Sequence, residues 1–330
     1  MRAPHFWQKP GLLASILWPF TLLYRGMSAL RTLITTPYHA ALPVICIGNI
    51  TSGGTGKTPV TRYLAEVLTR QGYHPVILMR GYGGTLSGPV LYDGAQHDAR
   101  QVGDEACLLG QSCDVVISRD RKAGAQLIES LGKYDVILMD DGLQNPSLAK
   151  TMSLLIFDGA VGVQNNYHLP SGPLRTSLKA GKRIADFALI NGADKTSLMP
   201  RLAPLPVATF TLQPDDDHIA RLKERPVIAF AGIGRPQRFF DMLRDKGLDV
   251  KAASSFADHH RYQETELEQL TSRAAETKAR CLTTEKDWVR LPKDWQNSVD
   301  YLPVSLQIDA ADEAQLLSHI TKAMAKHVAL

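Results

Sequence analysis

The chain has 330 residues, a length that suits two domains, each with its own core. At 44% apolar and 21% charged residues it is neither disordered nor collagen-like, and its four cysteines form no Cys-x-x-Cys pair, which argues against a zinc site or a disulfide scaffold. The net charge of +4 is modest but unevenly placed. The first acid is Glu66, although an even spread would put about six or seven acids in the first 65 residues.

That acid-free segment carries Arg2, Lys9, Arg25, Arg31, Lys57 and Arg62, which favours an anionic surface. Within it, Leu13, Ile16, Leu17, Phe20, Leu23, Met27, Leu30 and Ile34 recur at helical spacing. The apolar run ends at Arg25, short of the ~18 residues of a spanning helix, and Pro19 is expected to kink or split it. A signal peptide and a helix packed on the protein's own core compete with the reading adopted for residues 1–40. That reading is an amphipathic helix lying in the headgroup region, with Trp7, Trp18 and Tyr24 at the boundary.

Residues 42–50, LPVICIGNI, form a continuous apolar run, as in a strand buried on both faces. TSGGTGKT follows (Thr51, Ser52, Gly53, Gly54, Thr55, Gly56, Lys57, Thr58), and Pro59 opens a helix that Gly72 stops. Strand, glycine-rich loop and helix make a phosphate-binding loop whose backbone N–H groups face phosphate oxygens. Lys57 is expected to pair with the β and γ phosphates of a nucleotide, and the Thr58 hydroxyl to ligate Mg2+. The usual G-x-x-x-x-G-K-[ST] pattern places a glycine where Thr51 stands, so Gly53-Gly54 must supply the close approach.

Strands are expected near 76–79, 115–118, 135–139, 153–157 and 187–190, alternating with helices, and an Asp-Gly hairpin signal lies in residues 90–96. Asp104 and Glu105 open a helical stretch, where acids also simply suit the helix dipole. Arg119, Arg121 and Lys122 stand at a strand-to-helix turn, either as an anion clamp or as solvated charge. Asp140 and Asp141 end an apolar strand, as do aspartates that hold Mg2+ directly or through water, although a strand followed by a plain Asp-Gly turn would read the same way.

The fold expected is α/β: a P-loop NTPase-like, doubly wound, mostly parallel sheet over 41–212, with a smaller α/β domain over 213–330 closing over the active-site cleft. QPDDDH (213–218) is the break. Beyond it come a strand at 226–234, a helix, strands near 280–284 and 301–308, and a helix over about 312–327. Asp258, His259 and His260 could form a carboxylate-oriented imidazole or be plain loop residues. Glu285, Lys286 and Asp287 follow a strand, where sites collect.

GNITSGGTGKTP, RGYGG (80–84), VGDEA, DDGLQ (140–144), LPSGPLR (169–175), FAGIGRPQRFF, FADHH and TTEKD, in this order over nearly the whole chain, resemble the tetraacyldisaccharide 4′-kinase family, the lipid A kinases of Gram-negative bacteria. That family's loop also lacks the first glycine. The resemblance implies transfer of the γ-phosphoryl of ATP, with Mg2+, to the 4′-hydroxyl of an acylated glucosamine disaccharide 1-phosphate, at the cytoplasmic face of the inner membrane. It implies that Asp104 acts with His259 on the sugar hydroxyl and that Glu105 and Thr58 belong to the Mg2+ environment. It also implies that Arg80, Tyr82, Arg119, Asp140, Asp141 and Gln144 line the site. An anionic membrane surface is the expected partner; no nucleic acid and no obligate protein partner is expected. A nucleotide-driven switch ATPase and an ATP-dependent synthetase acting on a soluble acid are the rival readings, and neither needs a lipid.

Overall fold

The computed structural model describes residues 4–7, 11–234 and 236–328; Arg2, Lys9 and Arg235 therefore lie outside the described residues. The strands in chain order are β1 Val44–Gly48, β2 Pro75–Met79, β3 Val90–Leu91, β4 Val115–Ile117, β5 Val136–Asp140, β6 Met152–Asp158 and β7 Phe187–Asn191. They continue with β8 Val207–Pro214, β9 Val227–Ala231, β10 Val250–Ser255, β11 Arg280–Thr284, β12 Val299–Leu302 and β13 Val304–Ile308. A nine-stranded sheet has the order β13-β8-β7-β6-β1-β5-β2-β4-β3, and a four-stranded sheet has the order β10-β9-β11-β12.

In the larger sheet β8 through β4 run parallel, and the two edge strands β13 and β3 run antiparallel. The smaller sheet is parallel throughout. The apolar runs of β1, β5 and β6 are read by both faces. Ile45, Ile47, Leu138, Leu154 and Ile156 point to one core, and Val44, Cys46, Ile137, Met139, Leu155 and Phe157 to the other. Each such side chain, fully buried, stabilises the fold by roughly 1.5–3 kcal/mol. Strands β5 and β6 flank β1 on its two sides, so its carboxyl end opens at the switch point of the sheet, where ligands bind in this architecture.

Three expectations change. The chain does not divide cleanly at 213: β8 runs on to Pro214, and β13 returns to pair with it, Ile308 opposite Phe210. The helix Ala310–Val328 follows, laying Leu316, Ile320 and Met324 at i, i+4, i+8 into the first core. The open edge of β8 and the helix's apolar stripe decide this, so the smaller unit lies between Pro214 and Val304. Likewise, no hairpin forms across Asp93-Gly94; β3 pairs antiparallel with β4 instead.

The third change concerns α1, Leu12–Ile34, which runs through Pro19 unbroken. Pro19 offers no N–H to the carbonyl of Ser15, a residue exposed on the helix surface. Only Ala14 and Thr21 of α1 are buried, while Leu13, Ile16, Phe20, Leu23, Met27, Leu30 and Ile34 stand exposed rather than packed on a core. The Thr21 hydroxyl meets Ser171 Oγ at 2.9 Å, tethering α1 to the 163–174 loop. No helix among the described residues is long and apolar enough to cross a membrane.

Candidate active site

The loop from Gly48 leads into α2, Lys57–Arg70, whose first turn contains Lys57 and Thr58. Gly56 caps it at φ +99°, and a Cβ there would meet Asn191 Nδ2 at 3.1 Å and Phe210 Cζ at 3.3 Å; only glycine fits. Thr51 has no such demand. It bridges to Leu174 and is 5% exposed, while Ser52 N–H donates to the Pro173 carbonyl at 2.7 Å. The loop's first half is thus strand-like, which is why a threonine serves there. Beneath it, Asn49 Nδ2 donates to Thr55 Oγ1 at 3.3 Å and to the Gly53 carbonyl at 3.4 Å. Gln144 Nε2 holds the Asn49 carbonyl at 2.8 Å, so Gln144 supports the loop from behind.

At the end of β5 the two aspartates differ. Asp140 is 3% exposed and accepts from the Thr61 hydroxyl at 3.2 Å. Burial, with Glu105 and Asp141 nearby, pushes its pKa up to about 7 despite Lys57. Asp141, at φ +49°, faces Lys57 Nζ at 3.6 Å and Arg175 Nη1 at 3.1 Å. Burial works against its carboxylate, but Lys57 and Arg175 outweigh that and hold its pKa low. Glu105 accepts from Lys286 Nζ at 3.3 Å. Among the described residues no three His, Cys, Asp or Glu side chains converge as a ready metal cage, so Thr58, Glu105, Asp140 and Asp141 are neighbours rather than a closed ligand set.

Asp104 and His259 meet across 155 positions, His259 Nδ1 lying 2.9 Å from Asp104 Oδ2. Gly103, at φ +90°, precedes Asp104; its missing Cβ lets the Tyr82 carbonyl pack where a side chain would sit at 2.4 Å. This seats the RGYGG loop against the helix Asp104–Leu109. The Tyr82 ring, 70% exposed, stands 6.1 Å from the His259 ring. Arg119 Nη2 donates to the Gly84 carbonyl at 3.2 Å, tying the same loop, and Arg80 stands exposed just after β2. Burial opposes the Asp104 carboxylate, but the hydrogen bond from His259 and the charge of Arg290 bring its pKa below the usual value.

The sequence neighbour Asp258 is not the closest carboxylate to the imidazole: it lies 3.9 Å from His259 Nε2, beyond hydrogen-bond reach. His260 turns away, bonded to Glu266 at 2.9 Å and stacked on Phe256. Arg121 is 3% exposed and donates to the Ser118 carbonyl, so it props the turn from within. Sequence reasoning missed Asn49, Thr61 and Arg290. The one available signal was spacing: Arg290 follows Asp287 by three positions, a helical contact distance.

Comparison with known proteins places the chain in a family. The family described as Tetraacyldisaccharide-1-P 4′-kinase matches residues 13–324. A protein of Methylobacterium sp. (strain 4-46) named tetraacyldisaccharide 4′-kinase is 44% identical over 96% of this chain and 96% of its own length. A protein of the same name from Rhodospirillum rubrum is 41% identical over 94% of each. The crystal structure of LpxK from Aquifex aeolicus in complex with ATP superposes with a TM-score of 0.78 at 28% identity, covering 95% of this chain and all of that one. The chain belongs to the tetraacyldisaccharide-1-P 4′-kinase family.

Proposed function

We propose that the protein transfers the γ-phosphoryl of ATP to the 4′-hydroxyl of an acylated glucosamine disaccharide 1-phosphate, a step of lipid A biosynthesis. The observation that carries this reading is the Asp104–His259 hydrogen bond, which sets a proton acceptor from one unit and an imidazole from the other near the phosphate-loop carboxylates. The N-terminus of α2 and Lys57 receive the phosphates and neutralise their charge. Asp104 takes the proton of the acceptor hydroxyl, and His259 holds the carboxylate through Oδ2. Tyr82, Arg80 and Arg119 border the acceptor side, and Arg175 steadies Asp141.

The donor chemistry fits Mg2+. Burial, with the charges of Glu105 and Asp141 beside it, raises Asp140 against the pull of Lys57, and oxygen donors gathered in this way suit a hard cation. The Thr58 hydroxyl, with Asp140, Asp141 and Glu105 directly or through water, would hold it together with ATP phosphates. Mg2+ would supply charge neutralisation to the phosphoryl oxygens.

The exposed apolar face of α1, with Arg25 and Arg31, suits a peripheral position on the anionic cytoplasmic face of the inner membrane. The test is radiolabelled ATP with the disaccharide 1-phosphate in detergent micelles, scored for a bis-phosphorylated lipid. Label released only as inorganic phosphate would sink the kinase reading in favour of a switch ATPase.

A further inference from the structure

Both donors that reach Asp104 use the same oxygen. Oδ2 accepts from His259 at 2.9 Å and from Arg290 Nε at 2.5 Å. Among the described residues no hydrogen bond engages Oδ1. The same two residues also share an anchor, since the Gly232 carbonyl accepts from His259 N–H at 3.0 Å and from Arg290 Nη1 at 2.9 Å. Gly232, His259, Asp104 and Arg290 therefore close a hydrogen-bonded ring across the two units.

Within that ring Arg290 is the rigid member. Its side chain is 4% exposed against 38% for His259, which sits at φ +58° on a surface turn. Arg290 is itself fixed by Asp287, 0% exposed and 2.8 Å away. Asp287 accepts further from Gly232 N–H at 3.0 Å, the Tyr262 hydroxyl at 2.9 Å and the Thr284 hydroxyl at 2.6 Å. A planar guanidinium spends separate N–H groups on Asp104, Gly232 and Asp287 at once, a geometry an ammonium cannot copy.

We propose that Arg290 is a positioning residue that, together with His259, occupies Oδ2 of Asp104 and so leaves Oδ1 as the oxygen that takes the proton of the acceptor hydroxyl. A carboxylate held by the imidazole alone would rotate about its Cβ–Cγ bond and present either oxygen. Pinning it from two sides favours one near-attack arrangement before substrate arrives. Arg290 acts through Asp104, and its Nη2 also lies 3.4 Å from His259 Nδ1, on the imidazole that shares Oδ2. The inference rests on the proton-acceptor reading of Asp104.

Removing Arg290 alone strands the buried Asp287 charge, so the test uses Asp287→Asn as the parent and adds Arg290→Gln, with and without Asp104→Asn. Full-length enzyme is assayed with radiolabelled ATP and the lipid acceptor. Arg290→Gln should lower kcat about 10- to 10²-fold with KM for ATP changed less than about 2-fold, because positioning affects the transferring state. With Asp104→Asn already present the further loss should be under about 2-fold, since members of one unit lose function together. Arg290→Lys in the Asp287→Asn parent should leave kcat low. The inference is overturned if Arg290→Gln leaves kcat at its parent's value, if its loss persists in full beside Asp104→Asn, or if Arg290→Lys restores turnover. Undiminished kcat in Asp104→Asn alone would remove the proton-acceptor reading itself, a different failure seen in a different variant.

Discussion

Arg62 and Glu285, 223 positions apart, form a forked ion pair, with Nη1 2.9 Å from Oε1 and Nη2 3.4 Å from Oε2. Arg62 also donates to the Val304 carbonyl, and Glu285 accepts from the Val304 N–H at 3.2 Å. The helix that leaves the phosphate loop is thereby joined to the short helix Glu285–Trp288 after β11 and to the residue where the chain returns to the larger sheet. Their side chains are only 18% and 10% exposed. Glu285→Ala should therefore destabilise the protein by about 2–4 kcal/mol, a little under the cost of breaking a fully buried pair. Urea denaturation measures this. Arg62→Leu with Glu285→Leu should recover much of the loss, because no unpaired charge then stays behind. A change below about 1 kcal/mol in Glu285→Ala would mean that the pair does not hold the units together.

Lys57→Ala should lower phosphoryl transfer by about 10²-fold or more, since it removes charge neutralisation at the phosphates and leaves Asp141 with Arg175 alone. Thr51→Gly should keep turnover, because Thr51 is bridged in an extended segment and makes no approach that only glycine allows. It should cost about 1 kcal/mol of stability through backbone entropy and lost burial. Steady-state rates and thermal unfolding on the same preparations separate the two effects; wild-type turnover in Lys57→Ala would end the assignment of the loop.

Asp104→Ala should reduce kcat by about 10² to 10⁴, the range for loss of a general base. His259→Ala should cost less, as Arg290 still holds Oδ2. The double variant should be little slower than Asp104→Ala, with ATP affinity unchanged in all three. Losses that multiply in full would show two independent groups.

Leu23→Asp with Leu30→Asp places charge on a face of α1 where both leucines are mostly exposed, so folding should survive. Co-sedimentation with vesicles containing anionic lipid should fall at least about 10-fold, and added salt should weaken the unaltered protein, each basic residue near the surface being worth about 1 kcal/mol. Equal binding of variant and parent would show that α1 does not carry the membrane contact.

The sequence by itself determined the parallel sheet, because β1, β5 and β6 are buried on both faces and so read as unbroken apolar runs. It determined the phosphate loop as well, since backbone geometry between a strand and a helix is a local matter. Asp104, His259 and the strand-end aspartates were legible through motif order, although the partnership of the first two was implied only by resemblance. Tertiary structure decided the rest. Whether 304–328 belongs to the second unit depended on an open edge at β8, which no local pattern records. Pro19 stands inside a continuous α1, where Ser15, four positions earlier, lies on the exposed side of the helix. Arg290 looked like any charged residue near a turn. Its place between Asp104, Gly232 and Asp287 comes from contacts 186, 58 and 3 positions away, of which only the last is visible in a sequence.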